Sequence, residues 1–341
     1  MITHVRLVLL LTRPAVVLLL SLYAAVGVAG AGDTGYLALG TVLVAVLGFL
    51  LFSVAVNDLA DEPIDRVNLA GAKGRPLVTG AATGSDMVLL AAVGAVCALA
   101  AAAWLGVGVL LTTAAGLAAS YAYSVRPIRI ADRGSVAALT LPACYVVVPF
   151  LDGFLAADGR FAPSDALLLA GLYLGFLGRI LLKDFRDVRG DALFGKRTFL
   201  VRHGRVATCR LSAAMGVVGA VLVSSSQGSA SLAVGYALAT AVSLALLRGL
   251  ADEAHPRHDE LRIAALAIVG RGMLVGLLAQ LAMVNRDWPV AAASAVLGWL
   301  AVVTAVQVRA MLRYGPRPRL TSAVLRHIAP TEPERVAIVA E

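Results

Sequence analysis

The chain has 341 residues, 60% of them hydrophobic and only 15% charged, with a mean hydropathy of +0.86. Long uncharged runs near the ~20 residues that span a bilayer recur from end to end. They exclude a water-soluble globular enzyme and define an all-α, polytopic transmembrane helical bundle. The net charge of +8 comes without a soluble basic domain that could hold nucleic acid, so it reads as topology and as contact with anionic lipid or substrate.

Ten spans are read along the chain, at 8–30, 35–56, 86–105, 107–124, 135–151, 165–182, 206–224, 231–248, 263–284 and 289–311. The first run is too long for the apolar core of a usual signal peptide, and Arg13-Pro14 interrupts its start, so it is expected to stay as a span. With a cytoplasmic N-terminus, nearly every Lys and Arg falls on cytoplasmic loops or tails; only Arg160 and Arg286 fall outside. The outer loops are short except 152–164. The cytoplasmic loops 57–85 and 183–205 are long and charged, and 125–134 is basic through Arg126, Arg129 and Arg133. Function is therefore expected on the cytoplasmic side. Residues 1–312 are read as the transmembrane domain and 313–341, polar and proline-containing, as a cytoplasmic tail. Cys97, Cys144 and Cys209 lie in apolar segments without metal-ligand spacing and read as buried bulk.

Two acidic triplets stand out of this apolar background. Asp58, Asp61 and Asp65 follow the second span; Asp184, Asp187 and Asp191 follow the sixth, each offset by 126 residues from its counterpart. Spacings of three and four put the members of a triplet on one helical face. Pro63 and Gly190, just before each last Asp, are expected to end or loosen the helix there. Carboxylates at a helix C-terminal end repel both the macrodipole and one another, and a bound cation offsets both costs. All-oxygen ligation favours a hard ion, Mg²⁺ above all, which commonly uses one or two carboxylates and completes its shell with phosphate oxygens. Bases accompany the acids: Lys73 and Arg75 after the first triplet; Lys183, Arg186, Arg189, Lys196 and Arg197 around the second. The positive-inside bias accounts for most of them. Arg75 and Lys183 are the two best placed to touch a diphosphate. The repeat also implies pseudo-symmetric halves, spans 1–4 and 5–8.

The segments Asn57-Asp58-x-x-Asp61-x-x-x-Asp65 and Lys183-Asp184-x-x-Asp187-x-x-Gly190-Asp191 resemble the two signatures of the UbiA superfamily of intramembrane prenyltransferases. Arg13-Pro14, Lys73-x-Arg75-Pro76-Leu77-x-x-Gly80, Gly195-Lys196-Arg197-Thr198 and His203-Gly204 agree in order. The family has about nine spans, and its Tyr-led motif after span 4 ends in Lys where Tyr121-Ala122-Tyr123-Ser124-Val125-Arg126-Pro127 offers Arg126.

The resemblance implies a UbiA-like bundle of nine or ten spans in a bacterial plasma membrane, with an Mg²⁺ cofactor, an isoprenyl diphosphate donor and an aromatic or other lipophilic acceptor. Asp58, Asp61, Asp184 and Asp187 would be catalytic. Asn57, Lys73, Arg75, Arg126 and Lys183 would bind diphosphate, and all six triplet aspartates would hold metal. A terpene cyclase on the same scaffold would look alike. An ion-coupled transporter would instead place its carboxylates near the midplane. Tyr121, Tyr123, Tyr145 and Phe176 are either packing or a shield for an allylic cation. Arg179 either pairs with the second triplet or snorkels to the surface. Arg271, about ten residues into span 9, either faces a cavity or marks a break at Gly270-Arg271-Gly272.

Overall fold

The uncharged runs fold as helices because only a helix satisfies its own backbone in lipid. The computed structural model describes residues 14–31, 36–68, 76–185, 198–252 and 255–285, with isolated positions between 291 and 309. In chain order the helices are α1 (Pro14–Ala31), α2 (Tyr36–Asn68), α3 (Gly84–Leu105), α4 (Val107–Ser124), α5 (Ser135–Ala156), α6 (Pro163–Lys183), α7 (Phe199–Gln227), α8 (Ala230–Asp252) and α9 (Pro256–Asn285). Helices α2 to α9 are each long and apolar enough to cross a membrane, and α1 is a shorter apolar helix. The expected tenth span and the tail 313–341 lie outside the described residues, apart from those isolated positions.

Local chemistry sets several ends. Thr83 caps α3 reciprocally with Asp86: the Asp86 amide donates to Thr83 Oγ1 (3.2 Å) and the Thr83 amide to Asp86 Oδ2 (2.8 Å). Pro163 opens α6, and Asp165 accepts from the Ala162 amide at 2.8 Å. Thr198 caps α7, which then breaks its helical dihedrals at Gly204 (φ 74°). Helix α5 contains a π-turn over Ala143–Val147, directly after Pro142.

The expected halves recur in the packing. Helix α2 packs on α3 through Gly48 and Gly94, where a Cβ on either would meet the partner's backbone carbonyl at 2.6–2.8 Å. Helix α6 packs on α7 in the same way through Gly171 and Gly219. Between the halves, α1 lies against α5, with Gly27 on the backbone of Phe150 and Phe154 and Gly153 on the backbone of Ala24 and Val28. Gly27 and Gly153 are 126 residues apart, the offset of the acidic triplets. Helix α9 packs on α1 and α8. One core cluster, around Phe49, Leu50 and Met87, lies in the first half; a second, around Tyr23, Phe150, Phe154 and Leu277, joins α1 to the second half.

One expectation is corrected. Helix α2 does not stop at the first triplet; it runs unbroken to Asn68 with Pro63 inside it. Pro63 removes the amide that would bond to the Leu59 carbonyl. The next carbonyl, Ala60, is met from outside by Arg129 Nη1 at 3.1 Å. Only Asp65 is therefore in the last turn, where the macrodipole acts. Asp58 and Asp61 lie further back along the helix, beyond its reach.

Candidate functional site in the central cavity

A cavity of about 550 Å³ opens among α1, α2, α4, α5, α6, α7 and α9. Helix α2 brings Ser53, Asn57, Asp61 and Asp65 to its wall, and α6 brings Phe176, Arg179 and Lys183, with Asp184 following. Tyr123 comes from α4, Tyr145 from the π-turn of α5, and Arg271 from α9. The rest of the wall is largely aliphatic, with Val16, Leu19, Leu141, Ile180 and Leu266 among it. Acids from both repeats thus face one space.

Asp61 is held from two sides. It accepts from Asn57 Nδ2 at 3.2 Å, one turn earlier, and pairs with Arg129 Nη2 at 2.6 Å. Arg129 is buried (8% exposed) and also reaches Asp132 (2.8 Å) and the carbonyls of Ala60 and Ser124. Its backbone is left-handed (φ 34°), an unfavourable state for a side-chain-bearing residue. These four interactions hold it there. The sequence marked Arg129 only as part of a basic loop and named Arg126, through the resemblance, for diphosphate binding. Arg126 is exposed and is not among the residues that line the cavity.

Asp65 and Asp184 are buried at 8% exposure and line the cavity. Asp58 is more buried still, at 3%, but lies on the edge of the α2 stripe that faces the cavity and is not part of its wall. Lys183 lines the cavity, with Tyr123, Asp184 and Tyr145 close by. Asp187, Asp191, Lys73 and Arg75 lie outside the described residues. The turn that follows Arg75 is described: Pro76 O accepts from the amides of Ala81 and Ala82, Leu77 is buried, and Gly80 has φ 70°, which explains a glycine there.

The open questions on aromatics and arginines resolve in part. Tyr123, Tyr145 and Phe176 line the cavity, with Phe176 6.2 Å from both Tyr23 and Tyr145, whereas Tyr121 is 52% exposed on the outside. Helix α9 is continuous through Gly270-Arg271-Gly272, and Arg271 faces the cavity. Arg179 neither snorkels nor pairs with the second triplet among the described residues; it turns inward, donating to Tyr23 Oη and the Gly175 carbonyl, each at 3.2 Å.

Whether a hard divalent ion fits can be judged from the donors. Asp61, Asp65 and Asp184 supply carboxylate oxygens to one space. Among the described residues no three ligands converge into a closed metal centre. An ion there would complete its shell with other oxygens, the habit of Mg²⁺ in phosphate-binding sites. The residues fit that ion.

Fold and site together define a polytopic helical membrane protein with a carboxylate- and lysine-lined cavity between pseudo-repeated halves. The chain belongs to the UbiA prenyltransferase family, whose profile matches residues 17–269. It is 32% identical over 162 residues to the bacteriochlorophyll synthase 34 kDa chain of Chloroflexus aurantiacus, a match covering 47% of this chain and 50% of that one. It is 28% identical over 199 residues to the digeranylgeranylglyceryl phosphate synthase of Pyrococcus abyssi, covering 58% and 68%. The chain spans about half the length of the bacteriochlorophyll synthases it matches. Among solved structures, a UbiA homologue from Archaeoglobus fulgidus bound to GPP and Mg²⁺ superposes with a TM-score of 0.64 at 17% identity, over 81% of this chain and 99% of that one. A digeranylgeranylglyceryl phosphate synthase superposes equally well, over 82% and 98%. At such identity these two establish the fold.

Proposed function

We propose that the protein transfers a prenyl group from an isoprenyl diphosphate to an aromatic or other lipophilic acceptor, with Mg²⁺, at the cytoplasmic face of a bacterial plasma membrane. The observation that carries this reading is the convergence of Asp61, Asp65 and Asp184, from two sequence repeats, with Lys183 on one cavity that also bears Arg179 and Arg271 and is otherwise largely aliphatic. Such a space suits a molecule with a highly anionic head and a hydrocarbon tail. The Archaeoglobus homologue binds GPP and Mg²⁺ in the same fold.

Bound divalent metal would neutralise the departing diphosphate and so lower the barrier to C–O cleavage. Asp61, Asp65 and Asp184 would hold it, with Asp187 and Asp191 completing the second set and Asp58 supporting the first from beneath. Asn57 and Arg129 fix the Asp61 carboxylate, so it need not reorganise when charge moves. Lys183, close to Tyr123, would hold a diphosphate oxygen, together with Lys73 and Arg75. The allylic cation that develops must be kept from water. The faces of Tyr123, Tyr145 and Phe176 offer both an apolar wall and cation–π stabilisation.

The test is a panel of C10, C15 and C20 diphosphates given to the purified protein with Mg²⁺, with and without candidate acceptors, and read by mass spectrometry. A prenylated acceptor whose formation stops with EDTA is expected. Diphosphate release with a cyclic hydrocarbon and no acceptor would assign the scaffold to a cyclase. Solute flux in proteoliposomes without any prenyl product would overturn both.

A further inference from the structure

The second acidic set has an anchor outside the cavity. Asp184 lines the cavity, but the next residue, Phe185, packs on a third buried cluster around Leu182, Leu247 and Leu250. The Arg205 guanidinium lies over the Phe185 ring, 5.1 Å from its centroid. Arg205 follows the break in α7 at Gly204. Two further helices hold its side chain. Nη1 and Nη2 pair with Asp259 of α9 at 2.9 and 2.5 Å, and Nε donates to the Leu250 carbonyl of α8. The Arg205 side chain is 22% exposed and that of Asp259 12%.

Each contact answers a local need. Leu250 lies in the last turn of α8, so its carbonyl has no partner amide four residues on within that helix. Asp259 is in the first turn of α9, where the macrodipole favours a carboxylate. A guanidinium serves all three partners at once: a fork for the carboxylate, a third N–H for the carbonyl and a flat face for the ring. A buried pair of this kind adds little net stability over apolar packing; its best-attested use is to fix register. Here it ties α7, α8 and α9 to the end of α6.

That end needs a tie. Helix α6 closes in a 3-10 turn over Leu181–Lys183 with Asp184 as its cap, and helix ends fray. In the first half Arg129 holds Asp61 directly. The residue 126 positions after Arg129, the offset of the repeat, is His255, whose imidazole has no fork. The second half takes its arginine from α7 instead, and that arginine grips the residue beside the acid.

We propose that Arg205 is a positioning residue: through Phe185, and braced by Asp259, it holds Asp184 at the cavity wall to receive the metal-bound diphosphate. This rests on the transferase reading above.

The test reads Mg²⁺-dependent binding as well as turnover. Affinity of the purified full-length protein for geranylgeranyl diphosphate is measured by calorimetry across a Mg²⁺ series, followed by the Mg²⁺ dependence of diphosphate release. Folding of each variant is checked by circular dichroism. Phe185→Leu keeps apolar bulk but removes the ring. The Mg²⁺ concentration for half-maximal donor binding is expected to rise roughly three- to tenfold, the range of a cation–π contact. Phe185→Tyr keeps the ring and should stay at the wild-type value. Arg205→Lys keeps the charge without the fork and should raise it as Phe185→Leu does. In an Asp184→Asn background Phe185→Leu should add nothing, because the carboxylate it positions is gone. A wild-type Mg²⁺ dependence in folded Phe185→Leu would overturn the proposal, by reducing the cluster to packing. So would a rise of equal size in the Asp184→Asn background, or in Phe185→Tyr. Donor binding by the wild type without any Mg²⁺ dependence would overturn it too. If Arg205→Lys does not fold, the Phe185 variants decide alone. Failure of the transferase reading shows separately, as no prenyl product from any donor and acceptor while the Mg²⁺ shift in Phe185→Leu stands.

Discussion

Replacing Arg129 by Ala removes the clamp on Asp61. The guanidinium makes a 2.6 Å pair with Asp61, a 2.8 Å pair with Asp132, and bonds to the carbonyls of Ala60 and Ser124. The Asp132 side chain is 41% exposed, so its pair contributes little. The Asp61 pair is different, with side chains only 9% and 18% exposed. Breaking a buried pair by removing one partner costs about 3–5 kcal/mol. Asp61 keeps the Asn57 amide and some contact with the cavity, so the low end applies, about 3 kcal/mol. If that free energy serves to hold Asp61 in its working position, kcat/KM should fall by roughly 100-fold or somewhat more. The Mg²⁺ concentration for half-maximal rate should rise with it. The assay is diphosphate release by purified protein in nanodiscs, titrated with Mg²⁺, for R129A, D61N and the double variant. The double variant should be no worse than D61N alone, because the clamp has nothing left to hold. R129A with wild-type kcat/KM and Mg²⁺ dependence would refute the reasoning, and so would fully additive losses. Arg129→Gly should be about 1 kcal/mol more stable than R129A, since glycine accepts the left-handed backbone that alanine does not.

Three further outcomes are expected. Asp184→Asn should lower turnover by at least 100-fold with the protein still folded by circular dichroism, and EDTA should do the same to the wild type; activity surviving either would remove the carboxylates from the chemistry. Arg126→Ala should leave the donor KM unchanged, because Arg126 is exposed and off the cavity wall, whereas Arg75→Ala should raise it; the reverse result in donor titrations would restore the sequence-based choice. Gly153→Val should destabilise the α1–α5 contact by about 3 kcal/mol or more, since even a Cβ there would overlap the Ala24 carbonyl. Its thermal midpoint in detergent should drop, and an unchanged midpoint would mean the two helices can separate freely.

Much of this protein is written locally and can be read without its structure. Hydrophobic runs specify helices because lipid offers the backbone no other partner. The equal spacing of the acids marked an internal repeat, and Asp61, Asp65 and Asp184 from its two copies line one cavity. What sequence could not specify is which of several chemically equivalent side chains arrives. Arg126, Arg129 and Arg133 lie on one short loop. A left-handed turn at Arg129, not residue type, sends that guanidinium to Asp61. Pro63 signals a helix end by its own chemistry, yet α2 continues to Asn68, and Arg129, 69 residues from Ala60, meets that carbonyl from outside the helix. Asp58 has the same spacing credentials as Asp61 but falls at the edge of the cavity-facing stripe. That is a matter of how α2 is rotated against its neighbours. Arg179 and Arg271, 92 residues apart, become neighbours only when α9 packs beside α6 with a glycine at 270. The sequence by itself determined the helices, the acids and their repeat, because periodicity and composition act over a few turns. The tertiary structure decided which acids face the cavity, which arginine holds them and which two cations share it, because those depend on contacts between residues far apart in the chain.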